Sequence, residues 1–180
     1  MIIIGVDPGT LVTGYGVIET DVKTFRAIEF GTIQSKKISS MPKRLEQVFS
    51  RLHAVIERTK PAEFAIETAF YDKNAQSAMK LGQARGVALV AAQLAKLEIS
   101  EYAPRVIKKA VTGNGNASKE QVAKMLMQIF SIKELPRLLD STDALAVAVC
   151  HHYQNGVVKS KSKSWEGFLK DNPGRLKLLN

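Results

Sequence analysis

Apolar and polar positions change period several times along the chain, and each change marks an element. Residues 2–7 are an apolar run ending in Asp7-Pro8-Gly9, which predicts a strand closed by a turn. Residues 14–20 and 25–34 alternate in the manner of antiparallel strands, so the first three strands form a meander. Pro42 then opens a helix in which Leu45, Val48, Phe49, Leu52, Val55 and Ile56 recur at helical spacing, with Pro61 after its end. Residues 63–67 make a fourth strand. A long Ala-, Leu- and Gly-rich helix spans about 74–96. A short strand at 98–102 leads to Pro104 and a short helix. The loop Thr112-Gly-Asn-Gly-Asn116 is flexible by composition. Ser118-Lys-Glu-Gln121 has the form of a capping box before a helix to about Phe130. Pro136 interrupts the chain, and a last helix runs from about Asp140 to Tyr153. Strands first, then strands alternating with helices, predict an α/β domain built on a mixed five-stranded sheet flanked by helices.

Composition narrows the setting. The 180 residues suffice for one α/β domain, with 45 % apolar and 24 % charged residues. The expected division is a domain over 1–154 and a basic, mobile tail over 155–180 with Lys-Ser alternation at 159–164. The single cysteine, Cys150, excludes an intramolecular disulfide and points to a reducing cytoplasm. Met1 to Gly5 lacks a basic flank and reads as a strand, not a signal peptide. No stretch has the length to span a bilayer, so no membrane partner is expected. The net charge is +9. Six basic and two acidic residues give the tail +4 of this, leaving +5 on the body. Such an excess favours polyanionic partners, nucleic acid first among them, although solubility alone would also account for it.

Four acids stand out by placement. Asp7 ends the first strand and Glu67 the fourth, while Asp140 and Asp143, three apart at the start of the last helix, share a face. Each has a structural explanation: a turn initiator, a solvated strand end, an N-cap and a first-turn acid complementing the helix dipole. If they converge, two carboxylates about 5 Å apart repel by roughly 3 kcal/mol at an effective dielectric near 20. Six such pairs cost on the order of 15–20 kcal/mol, which protonation or a divalent metal must relieve. An all-oxygen donor set suits Mg²⁺ or Mn²⁺ and not zinc. On a basic protein it suggests two-metal phosphodiester hydrolysis, with two ions per site.

Several ordered segments resemble the RuvC family of bacterial Holliday junction resolvases. They are Ile4-Gly-Val-Asp-Pro-Gly-Thr10, Thr13-Gly-Tyr-Gly16, Ala65-Ile-Glu67, Lys80-Leu-Gly-Gln-Ala-Arg-Gly86, Gly113-x-Gly-x-Ala-x-Lys119-x-Gln-Val122 and Asp140-Ser-Thr-Asp-Ala-Leu-Ala146. The resemblance spans about residues 1–153. It implies an RNase H-like fold and a Mg²⁺-dependent homodimer that nicks four-way junction DNA in paired, symmetric fashion during recombination and repair. The RuvA–RuvB branch-migration complex is the implied partner. It places four catalytic, metal-holding acids on Asp7, Glu67, Asp140 and Asp143. It also places a base-stacking aromatic on Phe70 and DNA-contacting cations on Lys108 and Lys119. Asn116 departs from the pattern at a position that is often basic, and the tail matches no motif.

The residues support some of this independently. Lys108, Lys109 and Lys119 flank a glycine-containing loop able to follow a phosphate backbone, although any one of them also fits a solvated helix surface. A cation at Lys119 opposes its own helix dipole. Phe70 and Tyr71 follow Glu67 in a loop and can stack on unpaired bases, or Phe70 can cap the core. Gly82 and Gly86 offer a close-packing face for the sheet or for a second copy across a dimer. His53, His151 and His152 read as structural or exposed, and Cys150 as helix filling. Trp165 could anchor the tail to the body, a role the sequence leaves open. Three other functions compete. An actin-like ATPase shares the first phosphate loop, but 180 residues leave no room for its second domain. The others are a junction-binding module without catalysis and a nuclease of the same superfamily acting on hybrids or flaps.

Overall fold

The computed structural model describes residues 1–21, 24–68, 75–131 and 140–160, the last six as backbone only. Five strands form one sheet in the order β3-β2-β1-β4-β5. β1 (Ile2–Asp7), β2 (Val12–Thr20) and β3 (Phe25–Gln34) are the expected antiparallel meander. β4 (Glu63–Glu67) lies parallel to β1, and β5 (Glu98–Tyr102) parallel to β4. The sheet is therefore mixed, as the pattern predicts.

Alternation along each strand divides the core in two. Ile4, Val6, Phe64 and Ile66 face one side, where α1 (Met41–Thr59) and α2 (Ala75–Leu94) cover them with Val48, Leu52, Ala88 and Ala92. Ile3 and Ala65 face the other. There α5 (Asp140–Ser160) lies on the sheet, backed by α3 (Pro104–Thr112) and α4 (Lys119–Phe130). Every residue from Ala144 to Cys150 is at most 1 % exposed. A helix buried on all sides must be apolar all round, which is why the 144–150 run lacks a polar stripe. Each fully buried Val or Leu there contributes about 1.5–3 kcal/mol.

Close approach makes this seat possible. A Cβ at Gly5 would strike the Ala144 carbonyl and the Ala148 amide, and one at Gly14 would strike the Asp140 carbonyl. The absence of a side chain at Gly5 on β1 and at Gly14 on β2 lets the backbone of α5 rest on the sheet.

Three expectations change. The last helix continues to Ser160 instead of ending near Tyr153, because apolar spacing marks where burial stops and not where backbone hydrogen bonding stops. The 112–116 loop is stitched and not loose. Thr112 Oγ1 donates to the Asn114 carbonyl and accepts from its N–H, and Asn116 N–H donates to Asn114 Oδ1. Short polar side chains make such local turns readily. Gly82 and Gly86 do not pack on the sheet. Among the described residues nothing lies within 4 Å of a Cβ at either, and the face that packs is Ala84, Ala88, Ala91 and Ala92. The capping box on α4 forms as expected, with Ser118 and Gln121 each bonding the other's backbone.

Candidate active site

Strand register brings the first two acids together. Gly5 pairs with Ala65 and Val6 with Ile66 in parallel, so Asp7 and Glu67 leave the sheet at the same end and on the same face. That face is the one α5 covers. Asp7 pairs with Gly14 across the meander, and Gly14 is where the first residue of α5 touches the sheet. Asp140 therefore starts its helix over Asp7, and Asp143 follows within the first turn. Carboxylate oxygens of Asp7, Asp140 and Asp143 all lie within 4.8 Å of one another. Glu67 stands outside that tight trio. It lines a cleft of about 200 Å³ together with Asp7, Asp143, Pro104, Lys108 and Lys119.

The charges are only partly compensated. Asp7 is pushed up to about 8, first by burial and then by the charges of Glu67, Asp143 and Asp140, against a partial pull from Lys119. Glu67 rises to about 7, first by burial and then by Asp143, with Lys119 and Lys108 pulling down. Lys119 comes from the first residue of α4, and its Nζ donates to Asp143 Oδ2 at 2.5 Å. Burial lowers the Lys119 pKa, but the hydrogen bond to Asp143 and the charges of Asp143, Asp7 and Asp140 outweigh it, and the net shift is upward. The cation that opposes its own helix dipole is thus held by the acids it faces.

A divalent cation fits this donor set. Three carboxylates within reach of one ion, all oxygen and half-buried, match hard cations. The raised carboxyl pKa values mark buried charge and mutual repulsion that such an ion would offset. Lys108 and Lys119 line the same cleft, so cations border the acids where an approaching phosphate would lie. Phe70, Tyr71 and Trp165 lie outside the described residues. His151 is buried, His53 and His152 are partly exposed, and Cys150 is buried with its thiol pushed up to about 12 by burial. No helix among the described residues is long and apolar enough to cross a membrane.

The sequence reading missed two contributors. The first is the glycine seat for α5, whose signal was present in Gly5 and Gly14, each inside a strand where glycine otherwise weakens pairing. The second is the Lys119–Asp143 ion pair, for which spacing along the chain carries no signal.

Comparison with known proteins agrees with this geometry. The family described as "Crossover junction endodeoxyribonuclease RuvC" matches residues 3–151. A protein of that name from Cytophaga hutchinsonii is 49 % identical over 178 residues, 99 % of this chain and 89 % of its own. One from Porphyromonas gingivalis is 44 % identical, covering 98 % of this chain and 97 % of its own. Among solved structures, Thermus thermophilus RuvC in complex with Holliday junction substrate superposes with a TM-score of 0.81 at 32 % identity, over 86 % of this chain and 94 % of that one.

Proposed function

The chain belongs to the RuvC family of crossover junction endodeoxyribonucleases, with the RNase H-like fold, and on that premise we propose that it resolves Holliday junctions by hydrolysing DNA phosphodiesters at the Asp7–Glu67–Asp140–Asp143 cleft. The observation that carries this is the buried acid cluster bordered by Lys108 and Lys119. Asp7, Asp140 and Asp143 would hold one divalent cation. Asp7, which feels the charges of all three other acids, would with Glu67 hold a second. Mg²⁺ is the expected ion, two per site, with Mn²⁺ able to replace it. Bound there, the cation supplies Lewis-acid polarisation of the phosphate and an acidified water.

The chain's own residues do the rest. The acids orient the cleft toward a single phosphate. Lys108 and Lys119 attract the strand and offset charge as it develops. Glu67, outside the trio, is placed to accept a proton from the attacking water at its carboxylate. Phe70 is proposed to stack on junction bases. The test is a synthetic four-way junction with Mg²⁺: the wild-type protein nicks it, and Asp7→Asn binds it without nicking. Loss of binding together with cutting would make Asp7 a structural residue instead, and binding without nicking by the wild type would support the non-catalytic module. Hybrid and flap substrates in the same salt separate the other nucleases of this superfamily.

A homodimer is the proposed assembly, with one cleft for each of two strands. Its surface is the outer side of α2, where Met79, Val90 and Leu94 are 69 %, 52 % and 63 % exposed and Gly82 and Gly86 leave open space. Leu45 and Phe49 of α1 continue this strip as an apolar groove. Val90→Lys is expected to sediment as a monomer and to make unpaired nicks; a wild-type protein that sediments as a monomer while cutting both strands would remove the dimer. Action alongside RuvA–RuvB is proposed on the same family membership. Co-migration of the three proteins on a junction is the measurement that checks it.

A further inference from the structure

A second buried polar cluster lies on the face that α5 covers, away from the cleft. His151, 2 % exposed, is on α5 roughly two turns beyond Asp143. Its Nδ1 is 2.8 Å from Tyr102 Oη at the end of β5, and its Nε2 is 2.6 Å from Glu63 Oε2 at the start of β4. The Tyr102 carbonyl accepts hydrogen bonds from Thr68, 2.9 Å from its N–H and 3.3 Å from its Oγ1. Thr68 directly follows Glu67. One imidazole thus joins three elements, of which α5 bears Asp140 and Asp143, β4 bears Glu67, and β5 bears the carbonyl that secures the exit of β4.

We propose that His151 is a positioning residue for the acid cleft, fixing α5 against β4 and β5 so that Glu67 converges with Asp140 and Asp143. Imidazole suits the task because its two nitrogens point to opposite sides, so one rigid ring bonds a hydroxyl on one strand and a carboxylate on the next. From Ala144 to Cys150 the packing of α5 is apolar, and apolar contacts do not set a helix's rotation or slide as sharply as paired hydrogen bonds do. The neighbouring tether, His152 Nδ1 2.7 Å from Thr20 Oγ1, ties α5 to β2 and leaves its position on β4 and β5 to His151. Glu67 needs such help most, since it stands outside the trio and ends its strand. The inference rests on the proposed role of the four acids.

The experiment uses full-length protein free of DNA and metal, as His151→Phe, His151→Gln and Tyr102→Phe, with Val149→Ala as a core control on the same helix. Amide exchange at Thr68 reports the carbonyl clamp, with Ile66 inside β4 as the internal reference. Mn²⁺ titration reports convergence of the acids. His151→Phe and Tyr102→Phe are expected to speed Thr68 exchange at least tenfold with Ile66 little changed, and to weaken Mn²⁺ binding several-fold. His151→Gln recovers part of both. Wild-type Thr68 protection and Mn²⁺ affinity in folded His151 variants would overturn the proposal, as would equal changes in Val149→Ala at equal loss of Tm. If His151→Phe does not fold, Tyr102→Phe, which loses a single oxygen, carries the same readouts. A wild-type protein without Mn²⁺ affinity would strike the reading of the acids instead, and Thr68 exchange would still decide the clamp.

Discussion

Two buried polar clusters share α5 and one face of the sheet, and they behave in opposite ways. Glu63, His151 and Tyr102 complete one another, with donors and acceptors matched at 2.6 and 2.8 Å. Asp7, Glu67, Asp140 and Asp143 do not, since burial and mutual repulsion lift Asp7 to about 8 and Glu67 to about 7 even with Lys119 beside them. Buried charge is costly, and a fold normally satisfies it from within. A cluster that it leaves unsatisfied calls for completion from outside, on the proposed reading by a cation and a phosphate. The difference distinguishes the self-satisfied cluster from the proposed site without reference to any relative.

The largest expected effect breaks this contrast directly. Asp7→Asn removes the acid coupled to all the others. Cutting of a four-way junction is expected to fall by about a thousandfold, the order lost when a group stabilising transition-state charge is removed. The metal-free protein should meanwhile become more stable, because one of the repelling charges is gone. A single substitution that stabilises and inactivates marks a site built at the expense of stability. Chevrons or melts showing Asp7→Asn less stable than wild type in EDTA at pH 8 would contradict it.

A smaller effect follows from the same carboxyls through pH. Asp7 and Glu67 titrate near 8 and 7 in the folded chain and near their ordinary values of 3.8 and 4.5 when it unfolds. Between those limits the native state holds more protons than the unfolded state, so this contribution to stability falls as pH rises through the window and is flat below the unfolded values. In EDTA the wild-type Tm is therefore expected to drop relative to that of Asp7→Asn between pH 5 and 8, by on the order of 3–10 °C. A saturating divalent cation reverses the drop, since a ligand at a hundred times its Kd stabilises by about 2.7 kcal/mol. Parallel pH profiles for the two proteins would show that burial and repulsion do not raise Asp7.

Much of this was legible in the chain, for identifiable reasons. The five strands and their order of types came from changes of period, which register physical alternation of burial. The four acids came from their positions at element ends, where a side chain can leave the core. What periodicity could not give was anything depending on two elements meeting. That His151 bonds two strands, that Lys119 reaches Asp143, and that Gly82 and Gly86 face away from the sheet are facts of tertiary placement. The end of α5 was misread for a related reason: the apolar pattern ends with the core, whereas the helix runs on to Ser160.

Lys119 gives the smallest expected effect and the sharpest test of where the clusters differ, because it is the one internal cation seen to bond the acid trio among the described residues. Its Nζ is bonded to Asp143 and its side chain is 57 % exposed, so the ion pair alone adds little to stability. Lys119→Ala should leave the Tm nearly unchanged in Mg²⁺. In EDTA it should lift Asp7 and Glu67 further from their ordinary values, since it lowers both. At a pH above these raised values, where the acids are ionised, divalent affinity should rise a few-fold, because a competing cation is gone. Junction affinity should move the other way, falling several-fold with the log–log salt slope reduced by about 0.9, the contribution of one phosphate contact. Opposite signs for metal and DNA would identify Lys119 as a stand-in cation that hands its acids to the metal and itself to the phosphate. An unchanged salt slope with normal cutting would reduce it to a surface ion pair.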